Sequence, residues 1–314
     1  MLIVTGGAGF IGSNLVRGLN AAGRDDVVVV DDLSNGHKYR NLVDCTIVDY
    51  WDKDTLLARL DGLEREPDAI LHQGACAVTT EWDGRYMMAV NYQYSVDLLT
   101  WCIEKSVPLI YASSAAIYGA STEFRDNDSA LERPLNVYGY SKLLFDRYVQ
   151  RHIGSASSQV VGLRYFNVYG PNEAHKGSMA SVVYHLSRQL AETGELRLFE
   201  GSHGYGDGEQ RRDFIYVDDV VRVVMWFLEH PRVSGIFNVG TGSSASFNDL
   251  ANAVIDYYGK GRVRYIPFPE SLESSYQAFT EADITALRSA GYDRDFDDIR
   301  TGTRKYLDAL KLGS

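Results

Sequence analysis

Cysteine is scarce, with three residues in 314, at positions 45, 76 and 102. An odd and widely spaced set provides neither a disulfide framework nor the paired spacing of a zinc site, so reduced thiols, a cytoplasmic location and no bound metal are expected. Positive charge is also short: 31 Lys and Arg face 42 Asp and Glu, a formal net charge of -11. That excess repels nucleic acid and anionic membranes before any specific contact can form. No apolar run approaches the ~20 residues that span a bilayer, and the apolar strand opening at Leu2 has no basic leader before it. Neither nucleic acid nor membrane is therefore an expected partner. Internal repeats and low-complexity tracts are missing too, and 45% hydrophobic with 23% charged residues is ordinary folded composition. The length exceeds the size at which one core stops growing, which predicts two lobes sharing a cleft.

Short Val- and Ile-rich runs alternate with longer segments of helical period, the pattern of a parallel sheet covered by helices. Strands are predicted at 2–5, 27–31, 46–48, 69–72, 108–113 and 160–165, and helices at 11–22, 53–60, 85–105 and 138–151. The last helix carries Leu143, Leu144, Tyr148 and Val149 on one stripe. After Asn167 the pattern breaks into Gly- and Pro-punctuated pieces, with a glycine-dense stretch from Gly201 to Gly208 that reads as a mobile loop. Asp218 or Asp219 is expected to cap a helix reaching Glu229, Ser246 with Asp249 reads as a capping box, and Thr280 with Asp283 repeats it. The expected division is a dinucleotide-binding lobe over 1–166, with returning segments near 213–235 and 277–295. A smaller α/β substrate-binding lobe takes 167–212, about 236–276 and 296–314.

The first strand runs into Thr5-Gly6-Gly7-Ala8-Gly9-Phe10-Ile11-Gly12. Gly6, Gly9 and Gly12 allow a tight turn, a close approach to a pyrophosphate and helix-on-strand packing, and the helix N-terminus then faces the phosphates. Asp31 ends the second strand about 19 residues later, where an acidic side chain accepts from adenosine ribose hydroxyls and favours NAD. The fold class expected is a doubly wound parallel sheet of the Rossmann type with a second, smaller α/β domain.

Tyr138 and Lys142, four apart, share one helix face. An ammonium beside a phenol lowers its pKa and makes it a base for a hydroxyl proton. Ser114 ends the strand 108–113, on the side where ligands of such sheets bind, and can donate to the substrate oxygen. Tyr138, Lys142 and Ser114 are the candidate catalytic residues.

The order of the glycine turn, Ser114, Tyr138 with Lys142, and Arg164-Tyr165-Phe166-Asn167-Val168-Tyr169-Gly170-Pro171 resembles the extended short-chain dehydrogenase/reductases over essentially the whole chain. The resemblance implies epimerisation or dehydration of a sugar nucleotide with a nicotinamide cofactor. It also implies that an arginine of the Arg211-Arg212 pair grips the nucleotide pyrophosphate. Five further segments, starting at Glu81, Asn91, His175, Phe199 and Tyr276, are similar to the ADP-glycero-manno-heptose 6-epimerase branch. That similarity implies oxidation at the exocyclic carbon 6 of ADP-heptose and return of hydride to the opposite face, with Lys176 as a second acid/base group opposite Tyr138. It further implies cofactor contacts at Gly6, Gly9, Phe10, Ile11, Gly12, Asp31, Asp32, Lys38, Lys53, Gln73, Gly74, Ala75, Cys76, Ala77, Lys142, Val168 and Lys176. Substrate contacts would be Asn167, Ser178, His185, Phe199, Glu200, Gly201, Ser202, Arg212 and Tyr276. The branch prefers NADP, with Lys38 and Lys53 offsetting the charge of Asp31 and Asp32; NAD stays possible. It also implies a homo-oligomer, a pentamer or a multiple of one. Gln73, Val90 and the stretch 203–210 depart from the branch pattern.

Two alternatives stay open at this level. One is a UDP-hexose 4-epimerase or 4,6-dehydratase, against which stands Ala115-Ala116 after Ser114 in place of an acidic pair. The other is a dinucleotide-sensing protein without chemistry, against which stands the retention of both Tyr138 and Lys142.

Overall fold

The structure is a computed structural model and describes residues 1–126, 128–270, 273 and 276–312. Its centre is a sheet of seven parallel strands: β1 (Leu2–Thr5), β2 (Val27–Asp31), β3 (Asp49–Asp52), β4 (Ala69–His72), β5 (Leu109–Ser114), β6 (Val160–Tyr165) and, later in the chain, β11 (Gly235–Val239). They lie in the order β11-β6-β5-β4-β1-β2-β3, the doubly wound arrangement expected. Period-two alternation divides their side chains between two apolar layers. Leu2, Val4, Val27 and Val29 face α1 (Phe10–Ala21) and α7 (Val217–Glu229). Ile3, Val28, Val30 and Ile70 face α2 (Leu56–Asp61), α4 (Tyr94–Lys105) and α5 (Val137–His152).

The smaller part is built from β7 (Asn167–Tyr169), α6 (Val182–Thr193), β8 (Glu195–Phe199), β9 (Arg211–Arg212), β10 (Phe214–Tyr216), β12 (Ala245–Ser246), α8 (Phe247–Tyr258), β13 (Arg262–Ile266) and α10 (Ile299–Leu312). A third apolar cluster joins Leu186, Leu196, Leu250 and Tyr306 across it. A short helix α9 (Thr285–Ser289) returns to the large sheet, where Leu287 is buried in the first layer. Among the described residues no helix is long and apolar enough to cross a membrane.

Several expectations are corrected. The third strand is Asp49–Asp52, not 46–48: Val48 N–H only leads into the ladder by donating to Val27 O, and an edge strand tolerates the polar residues that hid it. The boundary placed at 236 cuts β11, which pairs with β6 from Val161 to Tyr165. The helix placed at 53–60 opens as a 3-10 turn over Lys53–Thr55 before α2. Neither Asp218 nor Asp219 caps α7, which starts directly after Tyr216; Asp219 is buried and instead pairs with Arg222 and accepts from Asp297 N–H. Thr280 and Asp283 form no capping box, because α9 begins at Thr285 and Thr280 Oγ1 bonds to Asn167 Oδ1 at 3.2 Å. The Ser246–Asp249 box is present. The stretch 201–208 is a loop folded on itself, with Gly201 N–H donating to Asp207 and Gly208 N–H to Phe199 O.

The predicted helix 85–105 is divided into α3 (Gly84–Met87), a π turn over Met88–Gln93, and α4. The cause is Asn91, 1% exposed. Its amide accepts from Cys76 N–H at 2.8 Å and donates to Cys76 O at 3.0 Å and to Ser141 Oγ at 3.1 Å. A widened turn of this kind lets a helix aim one polar side chain inward, and such turns concentrate at functional sites.

Beneath α5 lies a buried ionic cluster. Asp146, fully buried, accepts from Tyr111 Oη at 3.0 Å, Ser113 Oγ at 2.9 Å and Arg164 Nε at 2.9 Å. Arg164 extends to Glu132 at 2.7 Å. Removing one partner strands the others as uncompensated charges. Arg164→Met is therefore predicted to cost about 3–5 kcal/mol of unfolding free energy, while Arg188→Met, which breaks an exposed pair with Glu192, leaves the denaturation midpoint unmoved. Equal midpoints for the two variants in denaturant titrations would contradict this.

Candidate active site

The strand order reverses direction between β1 and β4, so a crevice opens beyond Thr5 and His72, which lie side by side in register. Gly74 N–H donates to Thr5 Oγ1 at 3.2 Å, and His72 bonds through its two nitrogens to Thr5 Oγ1 at 2.6 Å and Ser95 Oγ at 2.9 Å. Burial holds this imidazole down to about 3, so it stays neutral and orders the crevice floor. Gly6 has φ +65°, and a Cβ there would meet Gly74 N at 2.6 Å; a Cβ on Gly12 would meet Gly6 O at 2.1 Å. Only bare backbone fits this turn. No side chain caps α1, which leaves its first N–H groups for an anion.

At the end of β2, Asp31 makes three contacts within the chain that the sequence did not announce. This carboxylate is 5% exposed and is already engaged. Ala8 N–H donates to it at 2.8 Å, Asp32 N–H at 2.7 Å and Lys38 Nζ at 2.5 Å. It braces the glycine turn and offsets the charge of Lys38. Lys53 lies 3.9 Å from Asp32 and 2.8 Å from Asp54. A pyrophosphate at the bare glycine turn, with two lysines at the neighbouring strand end, fits a dinucleotide.

A cavity of about 430 Å³ lies beyond β4, β5 and β6. Phe10, Ile11, Gln73, Ala75, Ala77, Ser114, Tyr138, Lys142, Asn167, Val168 and Lys176 all line it. Tyr138 thus lines the same cavity as Phe10 and Ile11 of the glycine turn. Asn136 Oδ1 accepts from Gly139 N–H at 2.8 Å, starting α5 so that Tyr138 and Lys142 project from one face. Lys142, 5% exposed, donates to Ala112 O at 2.8 Å.

One electrostatic expectation fails. Lys142 does not lower the Tyr138 phenol, which burial pushes up against a hydrogen bond from Ser114 that pulls it down. The ammonium is itself held down to about 8 by burial, which outweighs the nearby Asp146 carboxylate. Burial disfavours both charged forms.

The remaining predicted residues divide. Cys76 is half-buried and held by its backbone to Asn91. Ser178 and His185 stand outside the cavity lining, bonded to each other between Ser178 O and His185 Nε2 at 3.3 Å. Phe199, Glu200, Gly201, Ser202, Arg212 and Tyr276 belong to a separate group. There the Arg212 guanidinium lies 4.9 Å from the Tyr276 ring centre, and Gln210 bridges Glu200 O and Ser202 Oγ. Gln277, next to Tyr276, lines the cavity. Arg211 is committed to Ser244. Sequence reasoning missed Gln277, Thr79 and Met179 in the cavity wall; short polar and flexible residues in loops leave no periodic signal. It also gave no role to Asp146, though a carboxylate one turn past Lys142 in an apolar stripe was a readable sign.

A lysine depressed by burial has a pH signature. With the folded value near 8 and the unfolded one near 10.4, the unfolded chain binds the extra proton between them, so stability rises with pH across that window. In the cofactor-free protein, denaturant unfolding at pH 7.5 and 9.5 should show a larger gain for the native chain than for Lys142→Met. Identical gains would show that Lys142 titrates normally.

Comparison with known proteins agrees with the geometry. The chain is 60% identical, over 99% of its length and 97% of the relative's, to the ADP-L-glycero-D-manno-heptose-6-epimerase of Alkalilimnicola ehrlichii. Its fold superposes with a TM-score of 0.86 on the Helicobacter pylori ADP-L-glycero-D-manno-heptose-6-epimerase, at 32% identity, covering 99% of this chain and 96% of that one. It superposes at 0.80 on the Thermus thermophilus UDP-glucose 4-epimerase in complex with NAD, at 28% identity and 99% and 98% coverage. With residues 2–240 matching the family as a whole, the glycine turn, the parallel sheet and the cavity beyond it are those of a member of the NAD dependent epimerase/dehydratase family, to which this chain belongs.

Proposed function

We propose that the protein interconverts ADP-D-glycero-D-manno-heptose and ADP-L-glycero-D-manno-heptose by inverting carbon 6, a step of lipopolysaccharide core synthesis. The observation that carries this reading is the convergence of two proton-transfer groups from separate segments, Tyr138 of α5 and Lys176 of the turn before α6, in one cavity beside the glycine turn. A single base serves one face of a reacting carbon; inversion benefits from one on each side. The 60% identity to a named ADP-heptose epimerase supports the choice of sugar.

When bound, a nicotinamide supplies a reversible hydride acceptor and, in its oxidised form, a positive charge. Tyr138 accepts the proton of the carbon 6 hydroxyl on one side and Ser114 donates to the same oxygen. Lys142 holds the Tyr138 side of the cavity while its own anchor, Ala112 O, fixes its position. Lys176, whose ammonium burial also holds down, gives or takes the proton on the opposite side. Only the bond from carbon 6 to the ring must turn, so Arg212 and Tyr276 can keep the nucleotide in place throughout. Phe199 to Ser202, Ser178, His185 and Asn167 complete the substrate contacts.

NADP is the favoured cofactor. The Lys38 contact with Asp31 supports this, because it cancels the carboxylate that would repel a 2′-phosphate, and Lys53 adds charge beside Asp32. Three free thiols support a cytoplasmic location. A homo-oligomer is proposed from the family resemblance, with light scattering as its measure.

Incubation of the purified protein with NADP and ADP-D-glycero-D-manno-heptose, followed by proton NMR, is predicted to give the L-glycero epimer. Turnover of UDP-glucose alone would instead assign a hexose 4-epimerase. Tyr138→Phe and Lys176→Met should each lower kcat by about 10²–10⁴, and native turnover in either would remove that residue from the chemistry. Lys38→Ala should weaken NADP binding by at least tenfold in a fluorescence titration and spare NAD; equal losses for the two cofactors would argue against a phosphate contact.

A further inference from the structure

The turn that carries Lys176 holds a second charged group, Glu173, with no exposure to solvent. Both of its oxygens are engaged by one residue: Ser181 N–H donates to Oε2 at 2.6 Å and Ser181 Oγ to Oε1 at 2.5 Å. Ser181 is also the N-cap of α6, its Oγ accepting from Tyr184 N–H. The carboxylate therefore sits where a helix end favours negative charge and cannot swing toward another partner. Lys176 Nζ lies 3.9 Å from Oε2, close enough to feel the charge and too far for a hydrogen bond. Its other neighbour is the Phe10 ring, 5.1 Å away.

We propose that Glu173 is a positioning residue for Lys176, holding the ammonium at the cavity wall by its field while leaving the ammonium protons directed to the ligand. This rests on the reading of Lys176 as an acid/base group. A carboxylate that bonded Lys176 directly would compete with substrate for those protons; one removed from reach would leave a buried cation without compensation. The Ser181 clamp selects the distance between these extremes.

The groups around the pair are few. Tyr138 and Lys142 share the cavity with Lys176. His175 precedes it and is itself held down by burial, Lys38 and Lys176. Glu173 lies beside Tyr306 of α10, whose phenol burial and this carboxylate push up. Glu173 is the group that raises the Lys176 ammonium, against burial, which lowers it. Replacing Glu173 by the isosteric amide leaves burial unopposed, so the sign is a further fall.

The test is competitive acetylation of the cofactor-free full chain across pH 6 to 11, with Lys176 followed by mass spectrometry. In Glu173→Gln the labelling midpoint of Lys176 is predicted to fall by roughly one unit, with that of exposed Lys260 unchanged. An unmoved midpoint overturns the proposal. Should that variant not fold, Glu173→Asp, which keeps the charge one methylene further back, is predicted to lower the midpoint by a smaller amount, and no shift there overturns it equally. A double-mutant cycle on kcat separates positioning from structural support. Glu173→Gln should cost about tenfold with Lys176 present and less than twofold in a Lys176→Met background. Equal costs in both backgrounds would make Glu173 a structural residue. Native kcat in Lys176→Met alone would sink the acid/base reading of Lys176, and the labelling midpoint would still report whether Glu173 controls that ammonium.

Discussion

One buried carboxylate ties the helix that presents Tyr138 and Lys142 to the two strands beneath it. Asp146 reaches β5 through Tyr111 and Ser113 and β6 through Arg164, and it leaves α5 one turn after Lys142. Desolvating a carboxylate and a guanidinium is costly, and three hydrogen bonds to the carboxylate and a second acid at Glu132 repay it only in one geometry. That uniqueness matters more than the net energy. A helix docked by apolar contacts alone could slide by a fraction of an ångström, and acid/base chemistry tolerates little such play.

The electrostatics of the cavity then follow from the burial of its titratable groups. Burial pushes the Tyr138 phenol up and both lysines down, so without ligand it works against the charged form of each group. Positive charge arriving with a cofactor, or negative charge arriving with a nucleotide, changes that balance at the moment it is needed. The protein offsets the penalty differently on the two sides: Lys142 is given a backbone carbonyl, and Lys176 a clamped carboxylate.

Much of this was legible in the residues. The strands β1, β2, β4 and β6 and the helices α1 and α5 follow from period and composition because each buries a contiguous apolar face. The glycine turn was readable because sterics there admit no other residue. What sequence hid was long-range polar pairing. Asp31 carries the expected position, but its bonds to Ala8, Asp32 and Lys38 left no mark in the sequence pattern. Asn91 splits a helix whose periodicity is unbroken, because its partners Cys76 and Ser141 are remote in the chain. Edge strand β3 was misplaced and return strand β11 was not read as a strand, because pairing, not propensity, defines them. The electrostatic sign at Tyr138 was missed because proximity of a lysine predicts little until the depth of the cavity is known.

The central claim is that Tyr138 and Lys176 flank one exocyclic carbon. A crystal structure of the protein with NADP and ADP-β-D-mannose, whose carbon 6 hydroxymethyl occupies the position of the heptose carbon 6, tests it directly. The account predicts Tyr138 Oη and Lys176 Nζ on opposite sides of that carbon, each within hydrogen-bonding reach of a position its oxygen can occupy. Lys176 bound to the pyrophosphate, or both groups on one face, would contradict it.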